Sequence, residues 1–387
     1  MSTIKVSNIQ NASASSAAIT LDANGQATLN GLNYPTAGPL SNRNLIINGA
    51  MQVAQRGTSS TASDYGTVDR FRSVVSSGTV TQTQESLTSD DPYDEGFRYF
   101  FRATNTTAGS NDASEFRGLH QYVEAQNLAL SGWNYKSSTS YVTLSFWARS
   151  SVAGTYYGVL RSRDGTEQAY SFAYTLSADT WTKITHTVPG NSNITFDSDN
   201  GTGLQVRLPI DLGTDYTTSG HTTEAWAAWD DASRCPDITH DWAGTTSATF
   251  DLTGVQLEVG SVATPFEHRS FEHELNMCRR YYQTNFPYGE AIAANSTYVS
   301  SFTAGNVNGA RGHVDYYQPM RSTPSLTFWN NHRNIVGGDN NIVYNTGSFL
   351  STTVSSTSIN ATGFQFIPAA GAAGTQYYFN WEASAEL

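Results

Sequence analysis

The stretch Asp251–Gln283, DLTGVQLEVGSVATPFEHRSFEHELNMCRRYYQ, decides the reading of the chain. Thr249, Asp251 and Thr253 alternate with Phe250 and Leu252, the two-residue period of a half-buried strand. Gly254 breaks that phase, and Val255, Leu257 and Val259 then resume an apolar face. A glycine at a phase shift predicts a β-bulge, because an extra residue inserts most easily where there is no Cβ to clash. Gly260 and Pro265 end the strand. Ser270 can cap a helix in which Phe271, Leu275, Cys278 and Tyr282 share one face. Glu272 and Glu274 near its start and Arg279 and Arg280 near its end suit the helix dipole, and Pro287 follows as a stop.

Upstream the chain is dense in short strand patterns. Tyr141–Arg149, YVTLSFWAR, sets Val142, Leu144, Phe146 and Ala148 on one side and Tyr141, Thr143, Ser145 and Trp147 on the other. Bulk on both faces marks a central strand of a sandwich. Further strands read at Thr155–Arg161, Gln168–Leu176, Trp181–Val188 and Gly203–Leu212, with a strand at Leu45–Ile47 and a short helix within Gly118–Leu130. Downstream of the helix, strands read at Thr297–Ala304, Gly309–Gln318, Ser325–Trp329, Asn341–Asn345, Ser358–Ile367 and Gln376–Ala383. Many short strands between polar turns predict a mainly β protein. The expected parts are an antiparallel jelly-roll or β-sandwich domain, a short linker helix and a smaller C-terminal β-sandwich domain. Self-similarity at 20–50 residues is absent, which argues against a solenoid or β-helix. At the N-terminus, AITLDANGQATLNG reads as a hairpin, in a segment with too few apolar residues for a core of its own.

Three segments carry a family resemblance. GVQLEVGSVATPFEHRSF followed by ELNMCRRYYQ resembles the closing strand and linker helix of phage tail-fibre proteins of aquatic-bacterium phages. NRNLIINGAMQVAQRGTS at Asn42–Ser59 resembles that family's opening segment, and FNWEASAEL at Phe379–Leu387 its ending. The resemblance implies an N-terminal virion-attachment arm and linker at 1–40 and a carbohydrate-binding-module-like jelly roll at 41–268. It further implies a linker helix at 269–284 and a receptor-binding C-terminal β-domain at 285–387. It implies a homotrimer held through its arm by tail or adaptor proteins, assembled in the host cytoplasm, and a host cell-surface glycan such as lipopolysaccharide as ligand.

Composition narrows the alternatives. The 387 residues carry a formal net charge of −12, and charged residues make up only 14%. The lysines are Lys5, Lys136 and Lys183, and the arginines are scattered, so a cationic surface for nucleic acid is not expected. Membrane insertion is not expected either, since no apolar run approaches the ~20 residues of a spanning helix. Cys235 and Cys278 cannot staple a chain of this length; a disulfide between them is the alternative, but the reducing cytoplasm that the resemblance implies makes free buried thiols the expectation.

Aromatic residues are the first site candidates, because flat rings stack on the apolar C–H faces of sugars. Trp226, Trp229 and Trp242 fall in the turn-rich segment 214–244, and Tyr316, Tyr317, Trp329 and His332 form a second set. The plain alternative is that they anchor loops or fill core. Asp197, Asp199, Asp211 and Asp215 are candidate ligands for a structural calcium, although Gly201 stands fifth in DSDNG where an EF-hand loop needs it sixth. The simpler reading is a solvated turn. Asp90–Asp91, Asp94–Glu95 and Asp230–Asp231 offer adjacent carboxylates, but a glycosidase needs two facing across a bond. No nucleophile elbow, HExxH or P-loop is present, so a non-enzymatic role is expected. The leading expectation is a tail fibre that is both virion component and receptor-binding protein, with recognition mainly in 285–387. A virion-associated glycan depolymerase and a non-receptor structural fibre are the alternatives.

Overall fold

The computed structural model describes all residues except 1–4, 11, 14, 22, 24–26, 30–31, 34–37, 110–111, 290–298, 305–310, 330–340, 346–347 and 372. At 32–33 and 355–356 only the backbone is described. The elements begin with β1 (Asn8–Ile9), β2 (Ile19–Leu21), β3 (Ala27–Leu29), β4 (Leu32–Asn33), β5 (Ser59–Ser60), β6 (Arg72–Val75) and β7 (Thr79–Ser86). They continue through α1 (Asp91–Asp94), β8 (Tyr99–Thr107), β9 (Phe116–Glu124), α2 (Ala125–Ala129), β10 (Tyr141–Ser150), β11 (Gly154–Ser162) and β12 (Gln168–Leu176). Next come β13 (Thr182–Pro189), β14 (Thr202–Leu212), β15 (Trp226–Ala228), β16 (Thr249–Val259), α3 (Phe271–Arg279) and β17 (Tyr282–Thr284). The last are β18 (Ser300–Thr303), β19 (Gly312–Asp315), β20 (Ser325–Trp329), β21 (Asn341–Asn345), β22 (Phe349–Ile359), β23 (Gly363–Pro368) and β24 (Gln376–Ser384).

Two compact units result. The first comprises Met1–Ala50, Val74–Val80 and Ser86–His268, and the second Met51–Ser73, Thr81–Glu85 and Arg269–Leu387. Within the first, one sheet runs β13-β10-β16-β8 and the other β15-β12-β11-β14-β9. Their inner faces make the core of a jelly-roll β-sandwich. Val142, Leu144, Phe146 and Ala148 of β10 are fully buried. The Phe146 ring meets Tyr174 of the opposite sheet at 5.4 Å, Tyr156 meets Phe250 at 5.7 Å, and Phe172 stacks on His186 at 4.2 Å. Each such side chain contributes about 1.5–3 kcal/mol by leaving water.

The bulge is where the phase shift placed it. Ser145 pairs with Gln256 and Trp147 with Thr253, so two residues of β16 oppose the single residue Phe146. Gly254 has φ 64°, and a Cβ there would lie 2.7 Å from the Phe97 ring. Beside the bulge runs the segment from Asn44 to Gly49. Asn44 Oδ1 accepts from the backbone N–H of Leu257 at 3.0 Å, its Nδ2 donates to the Val255 carbonyl at 3.0 Å, and Val255 N–H donates to the Gly49 carbonyl at 3.0 Å. Leu45–Ile47 is therefore buried chain held by side-chain and backbone hydrogen bonds, not the strand its apolar run predicts.

One further expectation holds in part and another is corrected. The short helix expected within Gly118–Leu130 is α2, Ala125–Ala129, whereas the residues before it belong to strand β9, paired with β14 from Phe116 to Glu124. Both faces of β9 are covered, which erases the alternation that would have marked a strand. Ser358–Ile367 is a hairpin of β22 and β23, turned by Asn360, whose Oδ1 accepts from the N–H groups of Thr362 and Gly363. At the N-terminus, β2 and β3 pair as the expected hairpin within a four-stranded sheet, with Val6 and Ile9 exposed.

The second unit is built on β24. Its first half, Gln376–Phe379, pairs with β18 and β21, and its second half, Asn380–Ser384, with β17 and β20. Phe328, Phe364, Phe366, Tyr377, Phe379 and Trp381 fill its core. Helix α3 starts at the expected cap, Ser270, whose Oγ accepts from His273 N–H. Its buried face differs from the expected apolar stripe. Glu274 and Cys278 are buried, Leu275 is half-buried and Phe271 is 42% exposed. Arg269 lies 3.6 Å from Glu274, so an ion pair takes the inward position.

A buried charge cluster also belongs to this unit. Glu386 pairs with both Arg70 and Arg56. The guanidinium of Arg70 stacks on Tyr281 at 3.5 Å and that of Arg56 on Tyr282 at 3.6 Å. Gln55 Nε2 donates to Asp69 Oδ2 and to the Tyr282 carbonyl. Burial pushes the Asp69 carboxyl up to about 6 against the opposing pull of Arg56. Cys235 and Cys278 are both free and buried, and burial raises both thiols.

Candidate functional site

Strand β13 sends Ile184, His186 and Val188 into the sandwich, so Lys183, Thr185 and Thr187 face outward. They stand opposite Trp147, Ser145 and Thr143 of β10. The chain leaving β16 turns back over this face through Ser261–Pro265. A cleft of about 670 Å³ results, lined by those threonines, Glu95, Lys183, Phe266 and His268.

The wall of the cleft is set by a buried carboxylate. Glu258 accepts from the N–H and hydroxyl of Thr264 and from Gln256 Nε2, with Arg43 3.5 Å away. Gln256 Oε1 in turn accepts from Glu267 N–H, and Glu267 Oε2 from Asn44 N–H. The segments 44–49 and 254–267 thus lock each other through polar groups removed from water.

One end of the cleft gathers charge and rings together. Glu95 takes Lys183 Nζ at 2.7 and 2.8 Å and the Trp147 indole N–H at 3.1 Å. Beside it, Phe97, Phe266 and His268 form a ring cluster with centroids 4.8–5.1 Å apart. His268 Nε2 lies 2.9 Å from the Glu95 carbonyl and so carries its proton there. Farther along the strands, Thr187 and Thr143 share a 3.1 Å hydroxyl contact and donate to the carbonyls of Ser261 and Gly260. An end with rings and charge and a floor of hydroxyls can bind a molecule that alternates C–H faces with hydroxyls. The residues responsible are legible only as the polar half of TWTKITHTV, a pattern shared by any solvent-facing strand.

The aromatic candidates are placed elsewhere. Trp242 is fully buried, and Tyr316 is in the core of the second unit, so neither ring is open to a ligand. Trp226 is half-buried on edge strand β15, with its N–H on the Pro189 carbonyl at 2.6 Å and its ring 5.6 Å from Tyr170. Trp229 follows on the outer face of the β12–β11–β14 sheet, where the guanidinium of Arg161 covers it at 3.8 Å. Tyr317 is exposed, beside Arg279 at 4.5 Å, and Trp329 is half-buried in β20. His332 lies outside the described residues.

The calcium candidates separate into two pairs. Asp197 and Asp199 precede β14 and Asp211 and Asp215 stand at its far end, so nine strand residues, roughly 30 Å, intervene. Asp199 Oδ1 accepts from Gly201 N–H within a turn. Asp211 lines a second cavity of about 230 Å³ with Asp112, Glu115, Asp237 and Asp241, and burial raises its carboxyl. Among the described residues no group of three or more His, Cys, Asp or Glu is arranged to hold a metal ion. The adjacent carboxylates are engaged singly. Glu95 pairs with Lys183, Asp231 with Arg234, and Asp230 Oδ1 caps Ala232 N–H.

No family model and no curated protein matches the chain. Several solved structures resemble it. The enzymatically active domain of tailspike protein 4 of bacteriophage CBA120 is 12% identical with a TM-score of 0.31, over 56% of this chain and 21% of that one. The chain thus spans about a fifth of that tailspike chain. A family 11 carbohydrate-binding module of a cellulosomal cellulase of Clostridium thermocellum is 8% identical with a TM-score of 0.26, over 53% of this chain and 96% of the module. A cyclase from Fischerella sp. TAU is 11% identical with a TM-score of 0.31, over 56% and 96%. At these scores the likenesses assign neither ligand nor activity. What the strands themselves define is a jelly-roll β-sandwich unit and a second β unit organised on one long strand.

Proposed function

We propose that this protein is a phage tail fibre that binds a glycan of the host surface, such as lipopolysaccharide, without cleaving it. The observation that carries the binding is the cleft on the outer face of β13 and β10, with rings at one end and hydroxyls along its floor. Glu95 is the one carboxylate that lines it, and Lys183 holds it, whereas hydrolysis needs two carboxyls across the scissile bond. The virion role is supported by the three sequence segments that resemble tail fibres. Two of them, near Asn44 and around Val255–Glu267, are hydrogen-bonded to each other. The fibre is a homotrimer, held by tail or adaptor proteins through the N-terminal arm, whose exposed Val6 and Ile9 sister chains would cover. Recognition, expected from the sequence mainly in 285–387, is proposed here on the first unit because the cleft of about 670 Å³ lies there, although the second unit also has a cavity, of about 300 Å³, lined by His273, Asn276, Met277, Arg280 and Gln318.

The test is an array of bacterial surface polysaccharides probed with the full-length protein. Wild type binds a polysaccharide from a susceptible host, and Thr185→Arg, which fills the cleft, loses at least tenfold in affinity. Equal binding by the variant would remove the cleft from the mechanism. Mass photometry on the same sample reads the trimer, and a monomer at micromolar concentration would contradict it.

A further inference from the structure

The opposite sheet carries an arrangement that the cleft does not explain. Gln205 and Arg207 of β14 point away from the core, because Leu204, Val206 and Leu208 point into it. His120 and Tyr122 of β9 stand opposite them, and Val159 and Arg161 of β11 flank the other side. The loop after β14 covers this face and is fastened to it. His221 bridges Ser171 at 2.7 Å and Ser233 at 3.0 Å, Arg234 N–H donates to the Tyr216 carbonyl, and Trp229 N–H donates to the Glu167 carbonyl.

Three guanidiniums gather at one indole. Arg161, Arg207 and Arg234 lie 3.8, 5.0 and 5.9 Å from the Trp229 ring centre. Arg161 is paired with Glu167, and Arg234 with Asp231 at 2.9 Å. Arg207 has no carboxylate partner among the described residues. Its Nε donates to His120 Nε2 at 3.2 Å, and it is only 8% exposed. Burial, with the charges of Arg234 and Arg161 nearby, holds its guanidinium down to about 9. Next to it on the strand, Gln205 is 4% exposed, and its amide lies 3.0 Å from His120 Nδ1, which carries the proton because Nε2 accepts from Arg207. A buried, uncompensated cation costs several kcal/mol and persists where something else requires it.

We infer that this face is a second binding site, for the carboxylate or phosphate of an acidic saccharide, with Arg207 as its anchor. A planar guanidinium fork matches either oxyanion in two parallel hydrogen bonds, and it is worth most where water is excluded. Trp229 holds the neighbouring Arg161 by cation–π contact. In a chain of net charge −12 this concentration of cations attracts an acidic ligand locally while the rest of the surface repels it. The site lies on the other sheet from the cleft, and either can fail without the other.

The test uses the full-length protein with D-glucuronate, D-glucose 6-phosphate and D-glucose as probes, at ionic strength matched with sodium chloride. Calorimetry and melting temperature are the readouts. At least one acidic sugar should bind and raise the melting temperature while glucose does not, and the one that responds names the oxyanion. Arg207→Met should weaken that binding at least tenfold, without lowering the melting temperature of the free protein, since it removes an unpaired charge. Thr185→Arg in the cleft should leave it unchanged. A wild-type response no larger than that to sodium chloride overturns the proposal, as does an undiminished response in Arg207→Met. Should Arg207→Met not fold, Arg234→Met carries the same comparison, with the same two outcomes.

Discussion

The carboxylate of Glu258 accepts two hydrogen bonds from Thr264, one from its N–H at 2.8 Å and one from its hydroxyl at 2.6 Å. Both residues are buried, and between them the chain makes the turn that walls the cleft. Glu258→Ala would leave three donors, the N–H and hydroxyl of Thr264 and the Gln256 amide, and Arg43 without their acceptor. We expect a loss of about 3–5 kcal/mol in the first unit. Binding at the cleft should fall further than stability alone explains, because the wall is no longer fixed. Calorimetric melting alongside the array assay measures both. A variant that melts like wild type would show that the turn holds itself.

The bulge offers a sharper comparison. Gly254→Ala introduces both an unfavourable positive φ and a clash with Phe97, whereas Gly132→Ala has a positive φ and open space around it. The φ effect alone is worth about 1–2 kcal/mol. Gly254→Ala should therefore cost at least ~2 kcal/mol and Gly132→Ala about 1. Equal effects in urea unfolding would mean that Phe97 yields freely.

Asp69 makes the second unit respond to acid in an unusual direction. Its carboxyl is raised from 3.8 to about 6 in the folded state by burial. The folded state therefore binds its proton more tightly than the unfolded state does. This contribution is fully present below pH 4 and is lost as the pH climbs through 6, on the order of 3 kcal/mol. Asp69→Asn should flatten the stability of the second unit between pH 4 and 6. His186 gives the opposite slope in the first unit. Burial lowers its imidazole, so its contribution is present above pH 6.5 and declines as the pH falls. Melting curves at half-unit pH steps separate the two, and an unchanged slope in Asp69→Asn would contradict the first.

Helix α3 can be tested at two neighbouring positions. Leu275 is half-buried, so Leu275→Asp should cost only about 1 kcal/mol. Cys278 is fully buried near Asp69, Glu274 and Glu386, so Cys278→Asp should cost at least ~4 kcal/mol. Reversed magnitudes would restore the apolar stripe as the packed face.

Much of the fold could be read from the residues because alternation survives wherever one face is drier than the other. Tyr141–Arg149, Gln168–Leu176 and Ser325–Trp329 emerge within a residue of their expected bounds. Gly254 declared its bulge because a broken phase has few other causes. Phe116–Glu124 escaped because it is covered on both sides, and Leu45–Ile47 misled because burial does not require ladder pairing. The sites were less legible. Composition brought Trp226, Trp229 and Trp242 together, but tertiary packing sent Trp242 into the core and placed arginines against Trp229. Lys183, Thr185 and Thr187 carry no signal apart from being polar on one side of a strand. The three arginines at Trp229 come from two strands and a loop, which no local spacing reveals.

The pairing of Arg70 with Glu386 spans 316 residues. A ribosome adding about 5–20 residues per second leaves Arg70 waiting roughly 15–60 seconds for its partner. In that interval everything the first unit needs, through His268, has already emerged. The second unit cannot be completed until its organising strand, Gln376–Ser384, has been made, although its segment Met51–Ser73 is synthesised early. Assembly order is thus written into the connectivity, with the jelly roll mature first and the second unit last, its early segments kept unspent until late in translation.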